Sequence, residues 1–82
     1  MKKKTLQIND KVIYRGSWGT DEPKESMIES IDLMPEMHSK LGGKPVEFMT
    51  EDNYKRCVVG LADGHWCYGY QIDWEESLQL NS

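Results

Sequence analysis

Apolar and polar residues alternate through residues 57–74, CVVGLADGHWCYGYQIDW, on both sides of Asp63-Gly64. Period-two alternation marks a strand with one buried face, and an Asp-Gly pair between two such runs predicts a tight hairpin. A two-residue turn there sets Leu61 opposite Trp66, Val59 opposite Tyr68 and Cys57 opposite Tyr70, all on one face. Val58, Gly60, Ala62, His65, Cys67 and Gly69 then share the other face. The row of large rings is expected to point into the core.

Earlier segments read the same way. Leu6 and Ile8 stand at strand spacing before a turn at Asn9-Asp10, and KVIYR at 11–15 is rich in strand formers. Residues 16–23 read as a loop, with glycine on either side of Trp18 and Pro23 closing it. Residues 26–34, SMIESIDLM, have no cleanly polar face in a strand, which predicts a bulge or cover on both sides.

Pro35 and Gly42-Gly43-Lys44-Pro45 punctuate a long middle segment. Within it, 46–49 is expected to be a short strand and 50–54 a helical turn with Thr50 as N-cap. Residues 1–5 and 76–82 are expected to fray, the latter anchored only by Leu78 and Leu80. The expected core is Val12, Ile31, Leu33, Val59, Leu61, Trp66, Tyr68 and Tyr70. These elements predict one domain over 1–82, mainly β: a small SH3-like antiparallel barrel or strongly bent sheet with a long middle loop.

The chain has 82 residues, and acidic side chains outnumber basic ones by 14 to 10, for a net charge of −4. A chain of this size buries only roughly 60–65% of its unfolded surface, which leaves no room for a deep substrate cavity. The acidic balance argues against a surface built to neutralise phosphates. The one basic run, Lys2-Lys3-Lys4, reads as a solvated chain start. No apolar run approaches the ~20 residues of a membrane span, and no signal-peptide core follows Lys4, so a cytoplasmic protein without membrane contact is expected. In the two-residue register Cys57 and Cys67 lie on opposite faces, which predicts free thiols.

The stretch Asn9–Tyr14, the loop after it and Met27–Ile31 resemble the first two strands of SH3-like barrels of the Tudor and KOW type. Residues 58–64 resemble their central hairpin. The chain as a whole is similar to small uncharacterised proteins of gut bacteria and their phages, typed by a GHWxYGYQI stretch at 64–72, a resemblance that implies no activity.

An isolated Trp on a glycine-flanked loop suits a protein contact, because Trp is among the commonest interface anchors. Trp18 is therefore the leading candidate, joined by Asp21 and Glu22 of its loop and by Tyr14 and Trp74. The acidic set Asp21, Glu22, Glu25, Glu29 and Asp32 would attract a basic partner. His65 and Cys67 share a strand face, but no CxxC or HxxxH accompanies them and His38 lies elsewhere, so no metal or cofactor is expected. Nor does any nucleophile stand beside a base and an oxyanion-binding loop, so no catalytic residues are assigned. The expected function is a non-catalytic binding module for a protein partner, with a homodimer through the strand edge near 72–74 as one arrangement. The alternatives are a KOW-like nucleic-acid-associated barrel and a phage or mobile-element inhibitor of a host protein.

Overall fold

The computed structural model describes residues 4–37, 39 and 41–81, apart from the side chain of Trp18. Lys2, Lys3, His38 and the Trp18 side chain, all considered above, lie outside the described residues. Strands β1 (Thr5–Gln7), β2 (Lys11–Arg15), β3 (Pro23–Leu33), β4 (Lys44–Pro45), β5 (Phe48–Thr50), β6 (Cys57–Leu61) and β7 (Trp66–Tyr68) make the protein mainly β. A four-residue helical turn, α1 (Gly16–Gly19), follows β2, and α2 (Trp74–Leu80) ends the chain. The main sheet runs β2-β3-β6-β7, with β4 added to the far part of β3, and it curls into a half-barrel. β1 and β5 pair separately, bringing Leu6 and Met49 into the core. Neither helix is long or apolar enough to cross a membrane.

β3 has the expected bulge. Its register with β6 shifts between Ile28, opposite Leu61, and Ser30, opposite Gly60. The extra residue resets the side-chain alternation, so Ile28 and Ile31 both point inward although they are three apart.

The final hairpin departs from expectation by one residue, and that reverses the faces of β7. The Gly64 N–H donates to Leu61 O at 3.2 Å and the Leu61 N–H donates to His65 O at 2.9 Å. Ala62, Asp63 and Gly64 thus form a three-residue loop, with Gly64 at φ +87° completing a bulged turn. Gly60 consequently faces Trp66, Val59 faces Cys67 and Val58 faces Tyr68. A one-residue slip sends each β7 side chain to the opposite face while β6 keeps its own. Cys57, Val59, Leu61 and Cys67 fill the core, whereas Trp66 is 60% exposed and Tyr68 and Tyr70 are only partly buried. The inward row of rings is therefore corrected to an outward one. Leu33 is half-buried at the core's margin, while Val12, Ile31, Val59 and Leu61 are core as expected.

Trp74–Leu80 of the C-terminal segment form α2. Asp73 caps α2 by accepting from the Glu76 N–H at 3.3 Å, and Glu75 and Glu76 suit the positive N-terminal end. Trp74 turns inward and stacks on Tyr54 at 4.4 Å. The helix also substitutes for a missing neighbour of β2. Ser77 Oγ accepts from the Ile13 N–H, Asn81 Oδ1 accepts from the Lys11 N–H and Asn81 Nδ2 donates to Lys11 O. The Asp73 N–H donates to Ile13 O, and Gln71 Nε2 donates to Arg15 O. Residues 71–81 thus satisfy the outer edge of β2 and leave no template for another strand there. In the middle segment β4 ends at Pro45 and β5 begins at Phe48, so of the expected 46–49 strand only Phe48 and Met49 are strand residues. Thr50 ends β5, and its N–H donates to Asn53 Oδ1, so it is not a helix cap. A 3₁₀ turn follows at Tyr54–Arg56.

Candidate functional site

The half-barrel closes incompletely where β7 approaches the β2–α1 corner. Gln71 spans that seam: its Oε1 accepts from the Tyr68 N–H at 2.8 Å while its Nε2 donates to Arg15 O at 2.9 Å. Beside this clasp lies a groove of about 390 Å³. It is lined by Trp66 and Tyr68 of β7, by Gly16, Ser17 and Asp21, and by Tyr14, Lys24, His65 and Gln71. A second groove, of about 310 Å³, lies beyond Trp66 and Tyr68 against Met34, Ser39 and Val58. The two rings form a ridge between grooves.

The register explains why the ridge is exposed. Trp66 stands opposite Gly60, whose missing side chain leaves room for a large cross-strand ring. Its ring meets that of Tyr68 edge to face at 5.2 Å, and Tyr68 stacks on Tyr70 at 5.5 Å. A Cβ at 60 would also meet Ser30 Oγ, a side-chain tip that would have to turn aside to make room.

Asp63 ties the hairpin tip to the groove floor. Its Oδ1 accepts from the His65 N–H at 3.0 Å and lies 3.4 Å from His65 Nδ1, while its Oδ2 accepts from the Tyr14 hydroxyl at 2.8 Å. The His65 N–H and the Tyr14 hydroxyl together hold the Asp63 carboxyl below its ordinary value. Burial, reinforced by that carboxylate, pushes the Tyr14 hydroxyl up to about 12.

Of the residues chosen from sequence, Asp21 and Tyr14 line the groove, Tyr14 only through the hydroxyl end of a side chain 4% exposed. Glu22, the next residue after Asp21, is exposed and is not among the groove's lining residues. Trp74 is corrected to a core residue, 6% exposed and stacked on Tyr54. The proposed edge at 72–74 is likewise taken: Ile72 is buried and bridges to Tyr14, and Asp73 bonds to β2. Trp66, Tyr68, Lys24 and Gln71 are the additions. The sequence signal for Trp66 is its place opposite Gly60, readable only once the loop is known to hold three residues.

Cys57 and Cys67 share the inner face, correcting their separation, and both thiols are free and buried. Burial pushes Cys57 up to about 11 and Cys67 up to about 12, the latter helped by Asp63. Both remain protonated at neutral pH, unlike nucleophilic cysteines. With Tyr14 they predict alkaline lability. Each holds its proton in the folded state above its ordinary value of 9.0 or 10.0. Between about pH 9 and 12 the folded chain therefore binds more protons than the unfolded one, and stability falls as pH rises. Urea midpoints should be flat from pH 7 to 8 and drop steadily above about pH 9; an unchanged midpoint at pH 11 would contradict the burial of these groups.

Among the described residues no three His, Cys, Asp or Glu side chains converge as a metal site would require. Comparisons with family models, curated proteins and solved structures find no match to this chain.

Proposed function

We propose that this chain is a non-catalytic binding module for a protein partner and that the groove at the β7 seam is its contact face. The single observation that carries the reading is Trp66: a large ring held on a strand by its neighbours, 60% exposed, with a groove on each side. Rigid exposed aromatics flanked by pockets lose little entropy on binding and dominate interface energies. The protonated thiols support a non-catalytic role. The reading keeps the 16–23 segment in the site, through Ser17 and Asp21. It includes the SH3-like resemblance and action in the cytoplasm; inhibition of a host protein by a phage-borne module is an alternative role for the same face.

The second reading, nucleic acid, is favoured by one feature, the ring row Trp66, Tyr68 and Tyr70, on which bases could stack. The net charge of −4 opposes it.

A photo-crosslinking benzoylphenylalanine at position 24, beside the groove, separates these readings when the chain is irradiated in extract of its native organism. A discrete protein adduct is expected at 24, absent when the probe replaces Gln79 on α2 and lost with Trp66→Ala. Equal labelling at 24 and 79, or a nuclease-sensitive adduct, would overturn the proposal.

A further inference from the structure

The groove has a main-chain side that the ring ridge conceals. In an antiparallel pair, alternate residues turn their N–H and C=O toward the partner strand and away from it. Leu61 bonds to His65, so Val59 and Cys67 form the next bonded pair, while Trp66 and Tyr68 direct their main-chain groups away from β6. Tyr68 confirms the phase, because its N–H points outward and is taken by Gln71. Trp66, two residues earlier, has the same phase, so its main-chain N–H also points away from β6. β7 is thus an open edge one residue wide, lying along a groove.

We infer that the seam binds an extended segment of a partner protein that adds beside β7 and presents an arginine to Trp66 and Asp21. This rests on the protein-binding reading above and names its ligand. Trp66 offers a hydrogen-bonding N–H and C=O, which are too few to hold a strand without a side-chain anchor. Trp66 supplies an exposed π face and Asp21, lining the same groove, a carboxylate. A guanidinium stacks on such a ring and pairs with such a carboxylate, and its apolar stem covers the groove floor. Charge complementarity points the same way: the chain is −4 overall, and Glu22 and Glu25 adjoin Asp21 in sequence. Lys24 lines the same groove, so an acidic segment is the necessary comparator.

The test uses the ¹⁵N-labelled full chain and three blocked peptides, acetyl-Thr-Val-Arg-Val-Thr-amide and its forms with norleucine or glutamate in place of arginine. The arginine peptide should shift the Trp66 indole and amide signals saturably, slow exchange of the Trp66 main-chain N–H, and bind more tightly than norleucine, with glutamate weakest. Asp21→Asn should weaken the arginine peptide about fivefold and leave the norleucine peptide unchanged. Trp66→Ala should weaken both by about thirtyfold or more. Equal binding of the three peptides, indifference to Asp21→Asn, or an unprotected Trp66 N–H overturns the arginine-bearing strand. If no peptide binds but the protein crosslink at 24 persists, this inference fails and the protein-binding face stands. If oligothymidylate alone moves the Trp66 signals, both fall.

Discussion

Gly69→Ala should remove more than half of the chain's folding stability. Gly69 is buried where the chain leaves β7, and a Cβ there would fall onto the carbonyl oxygen of Tyr54, with Cys57 O 3.4 Å away. The obstacle is backbone and cannot swing aside as a side-chain tip would. Tyr54 opens the 3₁₀ turn feeding β6, and its ring stacks on Trp74, so moving it disturbs both the sheet and α2. Forcing an extra carbon into such a contact costs about 3 kcal/mol or more, and a domain this small has about 5 kcal/mol in total. Gly64→Ala is the control, since Gly64 sits at φ +87° with open space around it. Its cost is conformational only, about 1–2 kcal/mol, a fall of about 4–16 °C in Tm at this size. Circular dichroism melts of the two variants check this: a Gly69→Ala melt no worse than that of Gly64→Ala would refute the close approach.

That same contact shows why the hairpin's faces were hard to read. Asp-Gly suits two turns, a two-residue loop and a three-residue loop with glycine in the left-handed position, and only the second is present. Reading the largest apolar residues as core favours the first. Volume decides for the second, because the inner face near Tyr54 accepts Cys67 and an unsubstituted glycine but not a row of rings. Once that choice is made, the outward ridge and the groove follow from alternation alone.

Other features were legible. The irregular pattern of SMIESIDLM signals its bulge, and Asp21, singled out from its loop, lines the groove. Asp73 with Glu76 three residues on, and Trp74, Ser77 and Leu78 at helical spacing, are a helix signal hidden by the shortness of the tail. The seam itself had no local signature. It depends on Gln71 reaching both Tyr68 and Arg15, residues 56 apart in the second case.

The two tryptophans should respond oppositely to truncation. Trp74→Ala removes a ring 94% buried against Tyr54, beside the capping Asp73, and is expected to cost about 3–5 kcal/mol. Trp66→Ala removes a ring that is mostly in solvent, losing its cross-strand cover of Gly60 and its edge contact with Tyr68, for about 1 kcal/mol or less. Urea midpoints compared at unchanged slope measure both. The pair also reports on the hairpin register without a structure determination. With a two-residue turn Trp66 would face Leu61 in the core, and its loss would rival that of Trp74. Only with Trp66 opposite Gly60 does its removal spare stability while abolishing the protein crosslink at position 24, because the ring that holds the partner is then one the core does not use.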